Sequence, residues 1–160
     1  MIVKKIILVL LLAVVTSGSA WAQKGMMGVG INLAGYVGLD DGGIGLGSAL
    51  KFQYNISDYF RLEPSISGYV VVDDGEAFLG SALLNVHAFF MSPRSLRPYA
   101  FAGVGYIGDH EGGFGFDAGL GLDYRVSHHF SLQLEVGTLI GVEDDDCIGL
   151  KFNLGVCYNF

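Results

Sequence analysis

The sequence predicts an all-β fold: eight antiparallel strands in up-and-down order, closed into a transmembrane barrel. Three observations predict it. Over residues 147–160 every even position, from Ile148 to Phe160, is large and apolar, and every odd position, from Cys147 to Asn159, is small or polar. A period of two over this length is an extended strand with one apolar and one wet face. The same alternation recurs upstream, between connections that alternate in kind. Finally, Lys4 and Lys5 precede an apolar run over 6–15 and then Ser19-Ala20-Trp21-Ala22 before Gln23. That order of charge, apolar run and A-x-A site is a secretory signal peptide over 1–22, leaving 23–160 as the exported barrel. The run is too short to cross a bilayer as a helix, which takes about 20 apolar residues. No cysteine follows the cleavage site, which argues against an acylated lipoprotein.

Taken in order, 27–33 fits a strand loosely. In 46–56, Leu46, Leu50, Phe52, Tyr54 and Ile56 oppose Gly47, Ala49, Lys51, Gln53 and Asn55. In 60–72, Phe60, Leu62, Ile66, Val70 and Val72 oppose Arg61, Glu63, Ser65 and Ser67. Residues 77–90 and 98–108 are apolar on both faces in places, and their register stays open. In 114–126, Phe114, Phe116, Leu120, Leu122 and Tyr124 oppose Gly115, Asp117, Gly119, Asp123 and Arg125. In 130–141, Phe130, Leu132, Leu134 and Val136 oppose Ser131, Gln133, Glu135 and Gly137.

The connections sort into two sets. Three are turn-like: 55–58, 91–97 and 127–129. Four are acidic and carry Asp40, Asp41, Asp73, Asp74, Glu76, Asp109, Glu111, Glu143, Asp144, Asp145 and Asp146. Four loops and three turns suit eight strands with both termini on one side, and an even strand number with unequal ends matches an outer-membrane barrel. Tyr54, Phe60, Phe90, Tyr124, Phe130, Tyr158 and Phe160 sit beside the turns or the C-terminus as a periplasmic aromatic girdle. Phe78, Tyr106 and Phe114 form a sparser ring near the acidic loops. The fold-level rival is a soluble lipocalin-like barrel with the apolar face inside; the girdle and the terminal Phe160 speak against it.

The inward faces carry Lys51, Arg61, Arg125 and Lys151 against Glu63, Asp117, Asp123 and Glu135, a balanced set of charges. An eight-stranded barrel is just wide enough inside for side chains to fill, so the expected interior is polar, salt-bridged and closed. Inward glycines such as Gly47, Gly105, Gly119, Gly121, Gly137 and Gly155 leave room for the long lysine and arginine chains. The whole chain has a net charge of -7; without Lys4 and Lys5 it has 7 basic and 16 acidic side chains. That balance disfavours nucleic acid as a partner. Cys147 and Cys157 lie roughly 33 Å apart on one strand at ~3.3 Å per residue, beyond disulfide reach.

Arg97-Pro98-Tyr99-Ala100-Phe101-Ala102-Gly103-Val104-Gly105-Tyr106, Leu120-Gly121-Leu122-Asp123-Tyr124-Arg125-Val126 and the terminal Leu154-Gly155-Val156-Cys157-Tyr158-Asn159-Phe160 resemble small bacterial outer-membrane β-barrel domains. These are the OmpX-like and OmpA-membrane-domain-like proteins often labelled porin family. The resemblance covers essentially 23–160. It implies residence in the outer membrane among lipid and lipopolysaccharide, and reading of Tyr158 and Phe160 by the barrel-assembly machinery. The porin label does not itself imply a channel.

Members of this size include lipid A deacylases and palmitoyl transferases, so the resemblance also admits an enzyme. His129, Ser131 and Glu135 are expected on one face, at the periplasmic end and away from an outer-leaflet substrate. His110 has no serine beside it, and His87 is expected in the lumen as a satisfied polar residue. No enzyme and no cofactor is expected. Divalent cations could bind the acidic loops, although no EF-hand spacing is present. The expected function is that of a monomeric, closed barrel with a structural or surface-interaction role (adhesion or envelope integrity) through its acidic extracellular loops. The alternatives are a narrow passive channel for small solutes and a lipid A-modifying enzyme.

Overall fold

The computed structural model describes residues 25–39, 42–72, 76–91, 95–108, 112–142 and 148–160. The proposed signal peptide, Cys147 and ten of the eleven acidic loop residues lie outside these; Glu76 is described in its backbone alone. Eight strands run in chain order: β1 Met27–Gly38, β2 Ile44–Asn55, β3 Phe60–Val72, β4 Glu76–Phe89, β5 Leu96–Gly108, β6 Gly113–Arg125, β7 Phe130–Gly141 and β8 Ile148–Asn159. Each pairs antiparallel with its neighbour, and β1 closes on β8 from Gly28↔Asn159 to Gly38↔Gly149. Closure leaves no unpaired sheet edge, as a bilayer demands of a spanning sheet. The Met27 and Phe160 backbones seal the seam with two hydrogen bonds, of 3.3 and 2.9 Å.

The short turns at one end have a repeated construction. Ser57 Oγ accepts from the Phe60 amide at 3.1 Å, and Ser127 Oγ accepts from the Phe130 amide at the same distance. A serine hydroxyl taking up the free amide of a tight turn is why these hairpins need few residues. We call this the turn end and the opposite one the loop end.

The apolar face points outward all round. Ile31, Leu50, Ile66, Leu120 and Leu154 are all exposed. In water such a continuous apolar wall would be an aggregation surface, whereas in lipid it is the matched face. The lipocalin-like alternative, with its apolar face inside, is thereby overturned. At the turn end the Phe130 and Tyr158 rings meet edge-on at 5.3 Å, and Phe160 stacks on Tyr158 at 6.4 Å.

Two sequence expectations change. β1 extends past Leu33 to Gly38, because Asn32, Ala34 and Tyr36 turn inward, where an aromatic hides the alternation. The ambiguous β4 and β5 have a definite register, from Gly80↔Gly108 to Phe89↔Tyr99. Both of their faces are apolar because Leu83, Phe89, Tyr99, Phe101 and Ile107 are buried in the lumen.

Candidate functional site

The lumen holds the chemistry, and it is built in layers. In the middle layer Lys51 of β2 lies between two carboxylates, Glu63 of β3 at 3.4 Å and Glu135 of β7 at 3.0 Å. β2 and β7 stand three places apart round the closed sheet, so the Lys51–Glu135 pair crosses the bore. Gln53 crosses it too, donating to Gln133 Oε1 at 2.9 Å and to Glu63 Oε2 at 2.6 Å. Glu135 also accepts from the Tyr99 hydroxyl at 2.7 Å and from Asn153 at 3.0 Å. All these side chains are buried, so each ion is desolvated and depends on its partners.

Nearer the turn end, Arg61 of β3 and Arg97 of β5 converge on one oxygen of Asp123, at 2.8 and 2.9 Å. Both guanidinium groups lie over the Phe89 ring, at 4.8 and 4.2 Å from its centroid. The ring face thus supports two like charges that the single carboxylate binds. A third group joins Lys151 of β8 to Asp117 of β6, which also accepts from Asn85 at 3.1 Å. Lys151 lies 4.8 Å from the centroid of the Phe101 ring.

The loop-end half is different. Tyr36 of β1, Tyr69 and Val71 of β3, Ile107 of β5 and Leu139 of β7 form one buried apolar cluster. Ala34 of β1 and Leu83 of β4 complete the cluster. The interior is therefore not polar throughout, as the alternation suggested, but polar in the middle and at the turn end and apolar above.

The buried charges still balance, though their membership differs from the sequence expectation. Lys51, Arg61, Arg97 and Lys151 face Glu63, Asp117, Asp123 and Glu135. Arg125 is only half-buried, at the last position of β6. Arg97, read as part of a turn, is the first inward residue of β5 and takes the place given to Arg125. Its position just before Pro98 and after a polar connection masked it. The inward glycines also serve a different group from the one expected. A side chain at Gly121 would run into the Tyr99 ring, and one at Gly119 or Gly137 into the Phe101 ring. At Gly47 and Gly105 the obstacle is the backbone of the neighbouring strand and at Gly155 it is Asn32, while the Lys51 stem lies against Gly30.

The hydrolase-like trio is not assembled. His129 is exposed and stacks on Tyr158 at 5.6 Å, whereas Ser131 is buried in the lumen and accepts from Asn159 at 3.4 Å. Glu135 is engaged by Lys51, Tyr99 and Asn153. His87 does lie in the lumen, but not as a satisfied residue. It is fully buried, stacks on Tyr99 with centroids 4.6 Å apart, and neither ring nitrogen has a hydrogen-bond partner. Its Nε2 comes within 3.5 Å of Glu63 Oε1. Cys157 is a buried free thiol donating to Gln53 Oε1 at 3.2 Å. His110 lies outside the described residues.

Known proteins with this arrangement identify the chain. Residues 6–160 match the model of the outer membrane protein beta-barrel domain. The protein belongs to that family. It is an outer-membrane β-barrel of the bacterial envelope. Neisserial surface protein A superposes with a TM-score of 0.68 at 15% identity, covering 84% of this chain and 96% of that one. A de novo designed transmembrane β-barrel gives 0.63 at 20%, covering 88% and 100%. Ail, the attachment invasion locus protein of Yersinia pestis, in complex with the heparin analogue sucrose octasulfate, gives 0.62 at 17%, covering 86% and 99%. At these identities the likeness is one of fold. Comparison with curated proteins finds no match.

Proposed function

We propose that this barrel works as a plugged, monomeric scaffold that presents acidic loops at the cell surface, in adhesion or in envelope integrity. The observation that carries this reading is the filled bore. Hydrogen bonds run from β2 to β7 and from β3 to β6, and an apolar layer lies above them. A barrel whose interior is packed this way contributes its outer wall and its loops. The separation of His129, Ser131 and Glu135 and the side chains that cross the lumen favour this reading over catalysis or transport.

On this reading the loop end, whose sequence carries the eleven carboxylates, lies at the cell surface, and Tyr158 and Phe160 serve recognition by the barrel-assembly machinery during insertion. The lipid neighbours include lipopolysaccharide, to which divalent cations would link the loops. Such acidic loops repel a polyanion, so a ligand like that of Ail is disfavoured. A cationic surface or a cation-bridged phosphate fits their charge.

The test uses intact cells. In a Cys147→Ser background, which removes the native thiol beside Asp144, a cysteine in place of Asp144 is expected to react with a membrane-impermeant maleimide, and one in place of Ser57 is not; the reverse labelling would invert the topology. Replacing the loop Asp and Glu residues by Asn and Gln is expected to lower cell attachment or detergent resistance while leaving barrel abundance unchanged. Unchanged attachment and resistance in that variant would remove the loops from the function.

A further inference from the structure

We propose that Glu63, His87 and Glu135 form a luminal site for one divalent transition-metal ion of the zinc class, with Lys51 as the resident cation that the metal displaces. Each residue offers a ligand atom, and these atoms lie within 4.8 Å of one another. The three side chains come from β3, β4 and β7 and are buried. An acidic pair by itself would carry no such inference, since Lys51 already neutralises it. His87 is the second observation. Its imidazole is fully buried, has no hydrogen-bond partner on either nitrogen, and brings Nε2 to 3.5 Å from a Glu63 oxygen. A buried imidazole whose contact with Glu63 is too long or misaligned for a good hydrogen bond is under-satisfied, and coordination is an interaction that would satisfy it.

The chemistry of the donors selects the ion. An imidazole beside two carboxylates suits zinc and its neighbours better than magnesium or calcium, which take oxygen alone. Zinc holds nitrogen and oxygen ligands at about 2.0–2.2 Å, so tetrahedral donors stand roughly 3.3 Å apart. Closing from the observed spacing needs side-chain adjustment of about an ångström or more, on the scale of a χ rotation. Tyr99 is placed to hold the site together, because it stacks on His87 and donates to Glu135. That is the support a ligand set needs from its surroundings.

Lys51 must swing off both carboxylates for the metal to enter, and Asn32 is a partner it can keep as it does so. Its Nζ lies 2.9 Å from the Asn32 side-chain oxygen when that amide is oriented to satisfy both of its ends. Lys51 also borders a small pocket that Ser65, Ser67 and Asn153 line together with Tyr69, Leu83 and Lys151. On this proposal the ammonium rotates toward the Ser65 and Ser67 hydroxyls while keeping its contact with Asn32.

The probe is Co²⁺, whose visible absorption reports coordination geometry. The full chain would be refolded in detergent micelles with Co²⁺ and passed through a chelating column, with folding verified by heat-dependent gel mobility. The expected result is one retained equivalent per chain with tetrahedral-type bands, displaced by Zn²⁺. His87→Gln should fold and lose the bands. Lys51→Met should fold and bind at least tenfold more tightly. Folded wild-type protein without bands would overturn the proposal, as would bands unchanged in His87→Gln, which would place the ion elsewhere. Binding by Lys51→Met alone would overturn it too, leaving the lysine as a permanent occupant.

Discussion

The two halves of the lumen solve the same packing problem with opposite materials. Toward the loops, Tyr36, Tyr69, Val71, Ile107 and Leu139 close the bore with apolar atoms. Toward the turns, Arg61, Arg97 and Asp123 close it with ions and a supporting Phe89 ring. The apolar half depends on filling its volume rather than on particular partners, because hydrophobic contact is not directional. The ionic half differs, since each buried charge depends on particular partners from distant strands. The difference teaches that the charged half specifies which strands face one another, while the apolar half seals.

The comparison is broken most severely at Asp123. Asp123→Ala leaves two buried guanidinium groups without their carboxylate and should cost about 3–5 kcal/mol, read from urea unfolding in lipid vesicles. Replacing Arg61, Arg97 and Asp123 together by Met, Met and Leu should cost distinctly less, because no charge is left stranded. If the triple variant were the worse, the ions would be contributing net stability rather than specificity.

At the sealing end, Leu139→Ala opens a cavity among fully buried neighbours and should cost about 2–5 kcal/mol. It should also raise conductance, whereas the Asp123 variant should first lose stability. A smaller effect is expected where the wall meets an inward ring. Gly121→Ala drives a methyl into the Tyr99 ring, whose hydroxyl holds Glu135. Overpacking of this kind costs about 1–3 kcal/mol, and the same urea midpoint measures it. The smallest effect belongs to the outer surface. His129→Ala removes only an exposed stack on Tyr158 and should change stability by no more than about 0.5 kcal/mol. A large loss there would mean that the stack contributes to the barrel seam.

Legibility in the sequence followed the same division. The outward face was readable because lipid demands an uninterrupted apolar row, as in Leu132, Leu134 and Val136. Most luminal ions were readable as the polar member of each alternation. The apolar half of the lumen was not, because Leu83, Tyr99 and Ile107 look like a wall residue whichever way they point. Arg97 was hidden for a different reason, since a charge beside a loop reads as a loop residue. Least legible was the approach of Glu63, His87 and Glu135. Their meeting depends on the register of three strands and on closure between β1 and β8, and no local spacing encodes it.

Single-channel recording of the wild-type protein in a planar lipid bilayer tests the filled lumen most directly. With ionic cross-links in one half and an apolar seal in the other, the expected trace is flat, with no stable conductance steps across physiological voltages. Long-lived ohmic steps from protein that shows the folded gel mobility would contradict a plugged barrel and turn attention to a passage through the charged layer.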